Sequence, residues 1–120
     1  IERNKNHVLF LKLLNDKNFF KDFKIDGSSN YAFNLILKNK NKTLFKNICK
    51  NLKKNKIEFR IGSAGGGNQL RQPYLKNIIN LKPQSLPKTD HVHFYGMYIG
   101  NYPGLTKKDI KFICDVINKS

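Results

Sequence analysis

Two spacings of apolar residues alternate along this 120-residue chain, and they constrain its fold more than any other feature. Apolar residues recur every three or four positions over residues 44–55 and 110–117, which predicts two amphipathic helices. Over residues 31–38 the large apolar side chains of Tyr31, Phe33, Leu35 and Leu37 fall at every second position, which predicts a half-buried strand. Residues 57–61, which lead into a glycine-rich stretch, are expected to form a second, short strand. Thr106, with an acidic residue three positions later, predicts a capping box at the start of the last helix.

The remaining segments complete the predicted order of elements. A short helix is expected from Asn6 to about Asn15, and the strongest strand pattern runs from His91 to Ile99. Lys82 to Lys88 is expected to be an exposed connector. The resulting order is helix, strand, helix, strand, long loop, strand and helix. We therefore predict an α+β fold, with a small, mostly antiparallel sheet covered by helices in one domain over residues 1–120.

The segment over residues 58–74, EFRIGSAGGGNQLRQPY, differs from the Lys- and Asn-rich remainder. It contains Arg60 and Arg71, two of only three arginines among 23 basic residues. In a chain that uses lysine almost everywhere, an arginine indicates that a planar, bidentate donor is needed at that position. The segment also holds four of the eight glycines, Gly62, Gly65, Gly66 and Gly67.

The glycine spacing fits neither a P-loop nor a dinucleotide fingerprint. Glycines allow close backbone approach and expose N–H groups that bind an anion, and a mobile surface loop would be equally compatible with them. The neighbouring Asn68, Gln69, Arg71 and Gln72 favour a ligand-binding edge, because they are rich in hydrogen-bond donors and acceptors.

The net charge of +15 raises the question of nucleic-acid binding. Lysine and asparagine are scattered through most segments, so a general surface bias explains the charge better than a dedicated nucleic-acid site. The charge still favours an anionic ligand such as a phosphate-bearing substrate. A basic module that binds nucleic acid or another anion without catalysis, and a non-catalytic interaction domain, remain alternatives.

Candidates for catalysis or metal binding are few. On the predicted strand His91 and His93 would share one face, where they are expected to hydrogen-bond a substrate or pack rather than bind metal. No catalytic residue is assigned, since the eight acidic residues show no paired-carboxylate pattern. Cys49 and Cys114 lie on helical apolar stripes and are expected to be free thiols in the core.

No apolar run is long enough to span a membrane, and no signal peptide is visible, so a cytoplasmic location is expected. The chain begins at Ile1 rather than at a methionine. We therefore expect it to be part of a longer protein.

Two runs, EFRIGSAGGGNQLRQPYL and HVHFYGMYIGNYPGLTKKDIKFICDVIN, resemble the C-terminal part of the DegT/DnrJ/StrS family of pyridoxal-phosphate (PLP) enzymes. The opening helix, with Arg3 and Asn6, resembles that family's Arg-x-x-Asn helix. The Arg60 to Tyr74 run looks closer to the sugar 3-dehydrase and lipopolysaccharide-synthesis branch than to the 4-aminotransferases, whose Tyr-Pro-Leu-His type sequence is absent here.

The resemblance implies the C-terminal small domain of a fold-type I PLP enzyme that acts as a homodimer on a nucleotide-linked keto sugar. The cofactor and its Schiff-base residue would then belong to a large domain outside this chain. The resemblance further implies a set of substrate-binding residues in this chain. Arg60 and Arg71 would pair with phosphate or carboxylate, Asn68 and Gln72 would hydrogen-bond the sugar or nucleotide, the amides of Gly65, Gly66 and Gly67 would allow close approach, and His91 and His93 would face the substrate.

Overall fold

A computed structural model describes residues 1–64, 67–75, 77, 78 and 80–120. Within these residues four α-helices and three strands follow one another, joined in the second half by short 3₁₀ turns. The elements are α1 (Glu2–Leu13), β1 (Ala32–Ile36), α2 (Lys42–Lys54), β2 (Phe59–Ile61), α3 (Pro87–Tyr95), β3 (Gly96–Gly100) and α4 (Lys107–Asn118).

The three strands form one antiparallel sheet in the order β1-β3-β2. Cross-strand neighbours point to the same face of a sheet, so the register aligns Phe33, Ile99 and Phe59 in one row. The next row on that face joins Leu35 and Met97. This face is the buried one, and the remaining side chains of the sheet point to the opposite face.

Helices α1, α2 and α4 pack on the buried face and close the core. Phe10 of α1 stacks on Phe33 of β1 with ring centroids 4.4 Å apart. Ile48 of α2 and Ile110 of α4 are fully buried in the same cluster. One layer of helices on an antiparallel sheet is the predicted α+β architecture, so the prediction of the fold class is confirmed.

The amphipathic patterns predicted most of the elements correctly. The observed bounds of α1, α2, β1 and β2 differ by a few residues from those expected from spacing, as helix and strand ends commonly do. The capping box is present: Thr106 Oγ1 accepts from the Asp109 N–H at 3.2 Å, and the Thr106 N–H donates to Asp109 Oδ2 at 2.8 Å.

The predicted strand from His91 to Ile99 is wrong over its first half. Residues 87–95 form helix α3, and the strand begins only at Gly96. Pro87 occupies the first turn of the helix, where its fixed φ and missing N–H are tolerated. A Cβ on Gly96 would lie 2.5 Å from the Val92 carbonyl oxygen, so glycine permits the change from helix to strand at this point. The expected connector before it is a 3₁₀ turn, Pro83–Ser85, leading into α3.

No helix in the described part of the chain is long and apolar enough to cross a membrane. Cys114 is buried and Cys49 is half-buried, and both are free thiols as expected.

Candidate functional site

The residues after β2 are called the glycine segment here; its described residues, 62–64 and 67–75, fold back onto α3. It begins with the 3₁₀ turn Gly62–Ala64, and the N–H of Gly67 donates to the Gly62 carbonyl at 2.7 Å. Two further 3₁₀ turns, Gln69–Arg71 and Pro73–Leu75, continue the segment. The predicted site residues Gly65 and Gly66 lie outside the described residues.

Two glycines of this segment are required by close packing. A Cβ on Gly62 would lie 2.4 Å from the Val92 carbonyl oxygen, and one on Gly67 would lie 2.6 Å from His93 Nδ1. Both distances are shorter than side chains tolerate, so any larger residue would push the segment away from α3. These glycines therefore permit the contact between the segment and the helix.

Asn68 is fully buried and joins the segment to its surroundings. Its backbone N–H donates to His93 Nδ1, and its side-chain amide donates to the Pro83 carbonyl and to Asp90 Oδ1, each at 3.0 Å. Its side-chain oxygen accepts from the Leu70 N–H at 3.1 Å. Both amide hydrogens are thus used within the chain, and the contact of Asn68 with a sugar or nucleotide stays a prediction.

Arg71 forms a bidentate pair with Asp90 on the first turn of α3. Its Nε and Nη2 donate to the two carboxylate oxygens at 2.5 and 2.7 Å. The guanidinium also lies over the ring of Phe94, 4.7 Å from its centroid. The hydrogen bond from Arg71, with a smaller contribution from Asn68, lowers the pKa of Asp90 to about 2. Arg71 thus forms a bidentate pair with a carboxylate of the same chain, and its predicted contact with a substrate phosphate or carboxylate stays a prediction.

His91 and His93 do not share a strand face, because both lie on helix α3. Two positions on a helix differ by about 200° in direction, so their side chains point to different sides. His93 accepts the Asn68 N–H through Nδ1. His91 Nε2 lies 2.6 Å from the Leu37 carbonyl oxygen, which assigns its proton to Nε2, and its ring stacks on Tyr95. Within the described ranges, no group of three His, Cys, Asp or Glu residues is arranged to hold a metal ion.

Arg60 and Gln72 have more open surroundings. Arg60 is exposed on β2 and lies beside Tyr98 on the face of the sheet opposite the helices. No ion pair involves Arg60 in the part of the chain that the structure describes. Gln72 is half-buried, and its backbone is held by hydrogen bonds to Gln69 and Leu75. Their predicted contacts with substrate are not tested by this geometry.

Asp90 is the residue whose importance the sequence concealed. It sits in the first turn of α3 and accepts hydrogen bonds from both Arg71 and Asn68, so it links the segment to the helix. Placed just before the predicted strand, it had no expected partner. The signal that could have identified it is the Pro87-x-x-Asp90 spacing, since proline and an acidic residue both favour the first turn of a helix.

A second network joins the N-terminal helix to the turn after β3. Asn6 Nδ2 donates to Asn101 Oδ1 at 3.3 Å. Asn101 Nδ2 donates to the carbonyl oxygens of Arg3 and Asn30 at 2.9 and 2.8 Å. Two segments that carry the sequence resemblance are therefore in contact, and their shared asparagines hold α1 against the sheet.

Similarity to solved structures extends over nearly the whole chain. A GDP-4-keto-6-deoxymannose-3-dehydratase with a trapped PLP-glutamate geminal diamine matches 96% of the chain at 21% identity with a TM-score of 0.76. The E. coli GDP-4-keto-6-deoxy-D-mannose-3-dehydratase with bound hydrated PLP matches 96% at 22% identity with a TM-score of 0.79. A Streptococcus pneumoniae protein described as a sugar aminotransferase, in its PMP form, matches 98% at 12% identity with a TM-score of 0.79.

The chain spans 30%, 30% and 29% of those three proteins, respectively. At these identities the likeness shows a shared fold: the chain has the same architecture as a part of each of those three proteins. No protein-family model matches the chain, and no curated protein matches it in sequence.

Proposed function

We propose that residues 1–120 are the C-terminal small domain of a longer PLP-dependent enzyme that acts on a nucleotide-linked 4-keto-6-deoxy sugar. The reaction would be 3-dehydration or amination in the cytoplasm, as a step of lipopolysaccharide or O-antigen biosynthesis. The observation that carries the proposal is the likeness in fold, over 96–98% of the chain, to three proteins whose descriptions name PLP or PMP and a sugar substrate or activity.

The described residues do not fit a PLP site of their own. Such a site needs an acidic partner for the pyridine nitrogen and usually a buried lysine. Asp90 is committed to Arg71 and Asn68. Every described lysine is exposed except Lys21, which pairs with Asp16. We therefore assign the cofactor, which supplies an electron sink when bound, to a large domain outside this chain.

The contribution of this chain would be to cover the substrate. The part of the glycine segment from Asn68 to Arg71 is held on α3 through Asn68 and the Arg71–Asp90 pair, so its backbone can be presented in a fixed position. Arg60 would supply an unpaired positive charge for the diphosphate, and Gln72 would hydrogen-bond the sugar or nucleotide. The Gly65 to Gly67 amides would allow the ligand to approach closely, at the interface of a homodimer.

The experiment that tests this proposal is the visible absorption spectrum of the protein extended upstream to its natural start and purified with PLP. We expect a retained PLP band, and borohydride reduction would then show whether a lysine aldimine is present. A colourless protein that does not bind PLP would overturn the proposal.

A variant of Arg60 tests the contribution of this chain in the extended enzyme. Arg60→Ala should raise KM for the nucleotide sugar, because it removes a charge assigned to the diphosphate. Lys24→Ala is the matched control, since Lys24 is also exposed and loses one positive charge elsewhere. Equal kinetic parameters for both variants would remove Arg60 from the site.

Arg71→Lys separates the enzyme proposal from the alternative of a basic nucleic-acid module. Lysine cannot reproduce the bidentate contact with Asp90, so the segment should loosen and turnover should fall. Net charge is unchanged, so charge-driven DNA binding and its salt dependence should stay the same. Lost DNA binding with intact turnover would favour the alternative.

A further inference from the structure

An open groove lies between helix α2 and strand β2. Its volume is about 940 Å³. Its floor is apolar and its rim along α2 is basic. The floor is formed by the half-buried side chains of Phe45, Cys49, Ile57 and Phe59.

The basic rim is a row of lysines that no acidic side chain of the same helix neutralises. Lys46, Lys50 and Lys53 line the groove on successive turns of α2. The helix contains five lysines and no acidic residue, whereas α4 mixes three lysines with two aspartates. None of the ion pairs in the described part of the chain includes an α2 lysine. A helix rises about 1.5 Å per residue, so this row extends over roughly 10 Å.

The opposite wall of the groove is an open sheet edge. In the order β1-β3-β2 the strand β2 is terminal, and among the described residues its only strand neighbour is β3. An edge strand presents unpaired N–H and C=O groups to which another extended chain can add. Both walls border the same groove, which is lined from Phe45 to Lys53 on α2 and from Ile57 to Ala64 around β2.

We propose that this groove binds an extended acidic segment of a partner protein, which adds to the edge of β2. Alternate side chains of a strand repeat every 6.6–6.8 Å or so, against roughly 6 Å along the helix between Lys46 and Lys50 and roughly 4.5 Å between Lys50 and Lys53. The long, flexible lysine side chains can span this difference. Carboxylates on one side of the added strand would therefore meet Lys46, Lys50 and Lys53 in turn. Glutamate suits the groove better than aspartate, since its longer methylene stem would cover the apolar floor.

The net charge of the chain argues against a second copy of it as the occupant of the groove. Each copy carries a net charge of +15, so two basic grooves would repel each other. Glu58 is the one carboxylate on the lining, against the three lysines and Arg60. A nucleic acid carries the negative charge that would attract the lysines, but it has no peptide backbone that could pair with β2. The experiment can therefore distinguish it from an acidic peptide.

The test uses a fluorescent heptapeptide in which glutamate alternates with threonine, titrated against the 120-residue chain by fluorescence anisotropy. Replacing Lys46, Lys50 and Lys53 together by glutamine should weaken binding about tenfold, as expected when three exposed ion pairs are lost. The matched control replaces Lys107, Lys108 and Lys111 of α4, which are also exposed, by glutamine. It carries the same charge change and should alter binding less than twofold.

Two further measurements test the location and the pairing. Bound peptide should slow alkylation of Cys49 on the groove floor, while the buried Cys114 serves as the internal reference. A peptide N-methylated at alternate residues keeps its charges but loses main-chain donors, and it should bind several-fold more weakly. Equal weakening by both lysine triplets, unchanged Cys49 alkylation, or undiminished binding of the N-methylated peptide would each overturn the proposal. So would a single-stranded oligonucleotide that binds through the α2 lysines more tightly than the peptide.

Discussion

Replacing Asp90 by asparagine should loosen the glycine segment and destabilise the whole domain. The carboxylate accepts two hydrogen bonds from Arg71 and one from Asn68. Its pKa of about 2, against an ordinary 3.8, corresponds to at most about 2.4 kcal/mol of stabilisation. The Asp90 and Arg71 side chains remain 18% and 27% exposed, so solvent screening reduces this value, and we expect a loss of about 1–2 kcal/mol.

The assay is urea unfolding followed by far-UV circular dichroism at several pH values. Because the folded-state pKa of Asp90 is depressed, its contribution is complete above pH 3.8 and is lost as the pH falls toward 2. The difference in unfolding free energy between the wild type and Asp90→Asn should therefore shrink over that interval. Asp26→Asn is the control, since Asp26 is exposed in a loop and its substitution should change stability by less than about 0.5 kcal/mol.

The reasoning would be refuted by either of two results. One is an Asp90→Asn variant as stable as the Asp26 control at pH 7. The other is a difference that persists undiminished at pH 2, because the stabilisation would then not depend on the ionised carboxylate. In a double-mutant cycle with Arg71→Gln, the coupling energy should account for most of the loss seen in Asp90→Asn if the pair acts as one unit.

Three other substitutions test the packing, the helix start and the buried histidine. Gly62→Ala should cost about 1–3 kcal/mol in urea unfolding because its Cβ would clash with the Val92 carbonyl, whereas Gly100→Ala, with open space around it, should be nearly neutral. Thr106→Ala should cost about 1 kcal/mol in the same assay by removing the capping box. His7 is fully buried, and burial lowers its pKa, so the unfolded chain binds a proton more readily than the folded one. The folded state should therefore lose stability as the pH drops below 6.5. His7→Phe should reduce the loss of stability measured between pH 7 and pH 5.

The elements that the sequence predicted well are those whose apolar spacing matches their burial. In α4 the residues at Ile110, Ile113 and Ile117 are buried, and the helix starts at the predicted cap. In α2 the same holds for Ile48 and Leu52. One face of each helix packs against the core, so the apolar residues recur in the sequence with the period of an α-helix.

In helix α3 the apolar spacing does not match burial, because no single face of the helix is buried. Of its nine residues only Tyr95 is buried, while Val92 and Phe94 are both substantially exposed. The apolar positions therefore reflect local contacts, such as Phe94 beneath Arg71, and their alternation imitates a strand. Proline at the first turn and the Asp90 carboxylate determine the start of the helix, and neither appears in a count of apolar spacing.

Composition singled out one segment as the candidate site, but it did not predict the contacts within that segment. The rare arginines and clustered glycines indicated residues 58–74, yet the partner of Arg71 lies 19 residues away, on a helix whose second half had been predicted as a strand. Two candidate ligand contacts, Arg71 and Asn68, are engaged with Asp90, while Arg60 on β2 has no ion-pair partner in the described residues. This contrast separates the residues by role: the half-buried Arg71–Asp90 pair fixes the segment, and the exposed Arg60 is the better candidate for an external anion. Kinetics of the extended enzyme should show the division, because loss of Arg60 would act mainly on KM, whereas loss of the Arg71–Asp90 pair would lower stability as well as turnover.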